Sequence, residues 1–89
     1  MKYTVVWGRS AARDLAAIWI AAADRHAVAS AADTIDGLLA DDPHLQGESR
    51  FGRIRVLLLP PLGVYFEVLE EDRLARVLAL WRLRSTRRT

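Results

Sequence analysis

Arg53 and Arg55, Tyr65, and Arg82 and Arg84 are the residues whose types and spacing could do chemistry. Arginine presents a planar fork that meets phosphate or carboxylate through paired hydrogen bonds. Residues two apart in a strand share one face, so Arg53 and Arg55 form one pair and Arg82 and Arg84 another. Tyr65 lies between the pairs in a strand of its own. The two histidines, His26 and His44, are far apart in sequence, and there is no cysteine. No metal and no cofactor are therefore expected, and disulfides are excluded. His26 is expected in the first turn of a helix and His44 in a solvated loop. Asp33 and Asp36, three apart, read as the solvated outer face of the same helix.

The 89 residues suffice for one domain near the lower end of what buries its own core, and 52% hydrophobic with 27% charged residues is ordinary globular composition. No apolar run approaches the roughly 18 residues of a membrane span. Met1-Lys2 is followed by a strand-like stretch, so no signal peptide is expected and the protein reads as cytoplasmic. The net charge of +2 is unevenly spread. Up to Gln46, four basic residues face six acidic ones; from Gly47 onward, nine arginines face five acids, and no lysine occurs. That choice of arginine suits contact with phosphate or carboxylate, or reflects the codon bias of a GC-rich genome.

Tyr3 to Trp7 is rich in β-branched and aromatic residues and reads as a strand. Ser10 is the expected N-cap of a helix over Ala11 to Ala23, with Leu15, Ile18, Trp19 and Ala22 on one face and Asp14 in the first turn. Asp24 is expected to cap a second helix. Its stripe is Val28, Ala31 or Ala32, Ile35, Leu38 and Leu39, and it ends near Ala40 because Asp42 precedes Pro43. Asp41 to Gly52 reads as a loop. Strands follow over Arg53 to Leu59, Gly63 to Leu69 and Leu74 to Arg82, separated by Pro60-Pro61 and the polar turn Glu70 to Asp72. Residues 1–84 form a single domain, and 85–89 a basic C-terminal tail.

The expected class is α+β, in the order β-α-α-β-β-β, with two helices on one face of a small antiparallel sheet. If Val64, Phe66 and Val68 face the helices, Tyr65 and Glu67 lie on the open face beside arginines of neighbouring strands. Strict alternation puts Arg76, Leu78, Leu80, Arg82 and Arg84 on one face of theirs. Trp7, Trp19 and Trp81 are expected in the core. Leu57, Leu59, Leu62 and Leu69 exceed what one covered face absorbs, which predicts an apolar groove at the sheet edge or between the helices.

This order, with an arginine-bearing sheet, resembles the RelE/ParE superfamily of toxins from bacterial type II toxin–antitoxin pairs. The resemblance is carried by Tyr3-Thr4-Val5-Val6-Trp7 with Ala11-Ala12-Arg13-Asp14-Leu15, by Asp42-Pro43, by Gly63-Val64-Tyr65-Phe66-Glu67-Val68, and by Val77-Leu78-Ala79-Leu80-Trp81-Arg82-Leu83-Arg84. It implies a cognate antitoxin that would occupy the groove with a helix or strand, and either a homodimer or a toxin–antitoxin hetero-oligomer. It also implies one of two activities: metal-independent cleavage of mRNA on the ribosome, or poisoning of DNA gyrase. In the first, the 2′-hydroxyl attacks the adjacent phosphate, and cations stabilise the charge that gathers there. Arg53, Arg55, Arg82 and Arg84 would bind that phosphate, and Tyr65 would assist proton transfer.

The sequence departs from the nuclease pattern. Gly63 stands where many members carry a third-strand arginine, and Arg82 stands near the end where histidine is frequent. Arginine cannot serve as a base, and an unperturbed tyrosine with a pKa near 10 is a poor one. A non-toxic nucleic-acid-binding module and an inactive homologue that titrates antitoxin are the alternatives. The first predicts binding that weakens steeply with salt.

Overall fold

In the computed structural model, which describes residues 2–83, the run Thr4–Trp7 forms strand β1, and the chain then folds into helices α1 (Arg9–Ala21) and α2 (Arg25–Asp41). A short 3-10 turn, Pro43–Leu45, leads into β2 (Glu48–Phe51), β3 (Ile54–Leu59) and β4 (Leu62–Leu69). A second 3-10 turn, Glu70–Asp72, precedes β5 (Leu74–Arg82). The five strands lie in the order β1-β5-β4-β3-β2; β1 runs parallel to β5 and all other pairs are antiparallel. Arg84 and the basic tail lie outside the described residues.

The α+β class and the two helices over one sheet match the sequence reading. The sheet is mixed and one strand larger, because β2 forms within the stretch read as loop. Its residues, Glu-Ser-Arg-Phe, are all exposed and carry no burial pattern, so only pairing with β3 makes them a strand. The turn that permits this pairing uses Gly52, with φ +57°. Pro60-Pro61 closes the β3–β4 hairpin, with Leu59 opposite Leu62.

One face of the sheet is packed by the helices. Ala11 of α1 and Val28, Ala31, Ala32, Ile35 and Leu39 of α2 meet Leu57, Leu62, Val64, Phe66, Ala75, Val77 and Leu80 of the sheet. The α2 stripe is the one expected, and Val64 and Phe66 face the helices as alternation requires. Leu57 and Leu62 are absorbed into this core and Leu59 packs against it, so leucine surplus is not what builds a groove.

Neither expected cap, Ser10 or Asp24, makes a side-chain cap bond. Helix α1 starts earlier than expected, with Gly8 at the N-cap and its carbonyl accepting from the Ala12 N–H at 2.8 Å. Asp14 instead reaches across to the sheet, where its Oδ2 accepts from the Leu80 N–H at 3.1 Å. Asp24 does occupy the N-cap of α2, but its carboxylate makes no cap bond and is held by Arg82 instead.

Gly47 has φ +64°, and a Cβ there would run into the backbone carbonyl oxygen of Val56. Gly52 shares the left-handed backbone but faces open space. Gly47→Ala is therefore expected to cost more than about 2 kcal/mol, against about 1 kcal/mol for Gly52→Ala. Urea unfolding of the two variants measures the difference.

Candidate functional site

Strand register decides which residues meet on the open side of the sheet, because residues directly opposite share a face. Tyr65 lies opposite Val56 and Ala79, Gly63 opposite Leu58 and Trp81, and Glu67 opposite Ile54 and Arg76. The face turned from the helices is thus aromatic and aliphatic, with Tyr65 and Trp81 rings 4.9 Å apart between centroids. Arg76 lies on this face, its Nη1 3.3 Å from Glu67 Oε2. Gly63 is roofed by the Trp81 indole, and a Cβ there would lie 2.6 Å from two ring carbons. Trp81 occupies the space that a third-strand arginine would need.

The expected arginines go elsewhere. Arg55 lies opposite Phe66, on the helix side. Its Nε donates to the Gln46 carbonyl at 3.0 Å and its Nη2 to the Gly47 carbonyl at 3.2 Å, fastening the segment that leads into β2. Arg53 sits in the β2–β3 turn and is exposed. Arg82 is turned to the helix side by a β-bulge. Phe66 pairs with Val77 and Tyr65 with Ala79, so Leu78 is the extra residue and alternation inverts beyond it. Leu80 is consequently buried in the core, and Arg82, opposite Leu62, donates from Nη2 to Asp24 Oδ2 at 2.9 Å. That hydrogen bond from Arg82 holds the Asp24 carboxyl below its ordinary pKa. The single face proposed for Arg76, Leu78, Leu80 and Arg82 therefore does not form, and Arg84 lies outside the described residues. Among the described sequence candidates, Tyr65 alone occupies the open face.

A second polar cluster was not anticipated. Glu70 Oε1 accepts from Tyr3 Oη at 2.7 Å and lies 2.7 Å from His44 Nε2, and Glu70 Oε2 lies 3.5 Å from Arg73 Nη1. The Arg73 guanidinium stands 5.0 Å over the Tyr3 ring, and His44 meets that ring edge-on. His44 is thus tethered rather than free in a loop. The hydrogen bonds from His44 and then Tyr3 hold the Glu70 carboxyl below its ordinary pKa. Their contribution to stability is present above the unfolded carboxylate range and is lost as pH falls through the lower folded value. Tyr3→Phe is expected to move acid unfolding, followed by circular dichroism, to higher pH.

The helices carry the third feature. A groove of about 540 Å³ runs between them, lined by Trp7, Ala12, Leu15, Ala16, Trp19, Ile20, Ala29, Ala32 and Asp33. An apolar groove between the helices is thus present, built from small alanines and two side chains at its rim. Trp19 is 43% exposed and Ile20 66% exposed. Trp19 is not in the core: Arg25 donates to its carbonyl and to that of Ile20, capping α1, and stacks its guanidinium 4.5 Å over the indole. Trp7 is partly buried, packs against the core, and donates from Nε1 to Asp36 Oδ1 at 3.0 Å.

No protein-family model matches the chain, and no curated protein matches it in sequence. Solved structures do match. A chain of the toxin–antitoxin complex RelBE2 from Mycobacterium tuberculosis superposes with a TM-score of 0.77 at 16% identity, covering 92% of each chain. A chain of the chromosomal ParDE toxin–antitoxin system from P. aeruginosa gives 0.69 at 22% identity, covering 92% of this chain and 97% of that one. The isolated E. coli RelE toxin gives 0.58 at 10% identity, covering 94% and 87%. This is the RelE/ParE toxin fold. Within the RelE/ParE fold the chain keeps the two helices and the sheet, and its open face carries the Tyr65–Trp81 pair.

Proposed function

We propose that the protein is the toxin of a toxin–antitoxin pair and that it acts by binding a macromolecular target of the DNA gyrase type rather than by cutting RNA. The observation that carries this reading is the open face of a RelE/ParE fold on which, among the described residues, Arg76 is paired and from which Arg55 and Arg82 are turned away. Arg55 is bonded to two carbonyls, Arg82 to Asp24 and Arg76 to Glu67, and Gly63 lies beneath Trp81. Cleavage needs cations placed on the charge that develops at phosphorus and a group able to take a proton. Tyr65, packed on Trp81, supplies neither. A flat aromatic and aliphatic face suits contact with protein instead.

The antitoxin belongs in the groove between α1 and α2. Groove and rim are apolar, and small alanines on both walls let a partner helix lie close. The fold relatives named as toxin–antitoxin complexes support such a partner.

Induced expression of the chain in the cytoplasm of a bacterial host is expected to arrest growth. The purified protein should inhibit supercoiling by gyrase, and primer extension on cellular mRNA should reveal no new ends. New ribosome-dependent mRNA ends would replace the binding mechanism by cleavage. Undisturbed growth would discard the toxin reading itself.

A further inference from the structure

The two helices are anchored to the sheet unequally. Five residues of α2 are buried, Val28, Ala31, Ala32, Ile35 and Leu39, whereas in α1 only Ala11 is. Leu15, Ile18 and Ala22 of α1 are partly buried against the core. Space also lies on both flanks of α1. The groove opens on its α2 side, and on the other a hollow of about 550 Å³ has Ala17, Ile18, Ala21, Asp24 and Arg82 in its wall. Close packing is what makes an interior resist displacement, and α1 has little of it. Its polar ties reach the far end of β5. Strand β1 pairs with β5 from Leu74 to Val77, and the Gly8 N–H donates to the Val77 carbonyl. Beyond that point, among the described residues, no strand borders β5 on this side, and the helical hairpin takes over. Asp14 Oδ2 accepts from the Leu80 N–H at 3.1 Å, and Asp24, at the turn between the helices, accepts from Arg82 Nη2 at 2.9 Å. Trp81 lies between these two held residues and points to the opposite face, where it packs on Tyr65.

We propose that α1 sets the open face from behind: a partner filling the groove displaces α1 toward the hollow, and Asp14 and Asp24 pass that displacement through Leu80 and Arg82 to the Tyr65–Trp81 pair. Asp14 is then a positioning residue for a face that it does not touch. A partner in the groove disarms the face without covering it. By linkage, a target seated on the face weakens the groove for that partner by the same factor. The parts given to partner and target rest on the function proposed above, whereas the coupling between groove and face is a property of the chain alone.

The chain has no cysteine, so a single thiol can be placed at will. Ala29→Cys puts it in the groove, and Gly37→Cys puts it elsewhere on α2, where a Cβ meets nothing within 4 Å. Each full-length variant is alkylated with N-ethylmaleimide and compared with its unmodified form by amide and indole NMR. In Ala29→Cys the indole signals of Trp7 and Trp19, which line the groove, should shift by direct contact and report that it is filled. The Leu80 amide and the Trp81 indole should shift with them, and neither should shift in alkylated Gly37→Cys. Adding Asp14→Ala should abolish the Trp81 response while Trp7 and Trp19 still respond. Asp14→Asn, which keeps a carbonyl acceptor, should restore it. Unmoved Leu80 and Trp81 signals beside shifted Trp7 and Trp19 would overturn the proposal, and that comparison decides the matter even where Asp14→Ala fails to fold. A Trp81 response undiminished by Asp14→Ala, or equal in Gly37→Cys, would overturn it as well. Neither growth arrest nor gyrase enters these measurements, so failure here is distinct from failure of the toxin reading.

Discussion

Ile20→Glu is expected to abolish neutralisation by the cognate antitoxin while leaving the fold and growth arrest intact. Ile20 is 66% exposed on α1 and contributes nothing to the core cluster, so its replacement should change stability by no more than about 0.5 kcal/mol. Its surroundings in a complex are another matter. With Trp19 it forms the rim of the apolar groove, and any helix seated on Ala12, Ala16 and Ala29 would cover it. A carboxylate covered without a partner costs several kcal/mol or forces the interface apart. Truncation of a central interface anchor already costs about 2 kcal/mol or more, and each 1.4 kcal/mol is tenfold in affinity. A loss of about a hundredfold is the expected result, read by calorimetry against the purified antitoxin. Arg50→Glu, on the exposed bulged strand β2, supplies the control and should bind normally. Equal affinity of both variants would place the antitoxin elsewhere on the molecule.

The groove was legible in outline because helical periodicity is a local property. Val28, Ile35 and Leu39 had to face the sheet, and the short residues beside Leu15 and Trp19 had to be left over. What local pattern could not supply is which large side chain ends at the rim. Trp19 sits on the apolar stripe, yet it projects past the sheet and finds Arg25 instead of the core.

The open face failed for a different physical reason. Alternation places residues correctly only while the ladder is unbroken, and the extra residue Leu78 breaks it in mid-strand. No turn residue or glycine in Val77-Leu78-Ala79-Leu80 announces the bulge. Its stabilising partner, Asp14, is 66 residues away from the Leu80 N–H it accepts. Past that point Leu80 and Arg82 exchange faces with Ala79 and Trp81, which turns an expected arginine surface into an aromatic one. Strand β2 was missed for a related reason, since Glu-Ser-Arg-Phe acquires its geometry only from the ladder it joins. The Tyr3–Glu70–His44–Arg73 cluster likewise joins three segments distant in sequence, at Tyr3, at His44 and at the Glu70–Arg73 turn. A clue was available there: three acidic residues immediately precede Arg73 at a turn, a placement that favours local pairing.

Phe66→Ala should have the largest effect on stability. Phe66 is fully buried at the middle of the central strand, opposite Arg55 and Val77, immediately before the bulge. Removing a buried phenyl group costs about 3–5 kcal/mol, partly for lost transfer and partly for the cavity left behind. A domain of this size has a total stability of about 5–15 kcal/mol, and short chains lie toward the lower end. The variant should therefore unfold at much lower urea, or be largely unfolded at growth temperature. Leu58→Ala, at an open-face residue 57% exposed, should change the midpoint little. The location matters as much as the magnitude. Val77 opposite Phe66 is the last residue before Leu78, so a collapse there loosens the register that aims Leu80 at Asp14 and thereby ties α1 to β5. Helix α1 is one wall of the groove. Phe66→Ala should consequently lose growth arrest and antitoxin binding together, whereas Ile20→Glu loses only the second. Retention of native stability by Phe66→Ala would mean that the sheet is held chiefly by its ladder, contrary to the burial that defines its core.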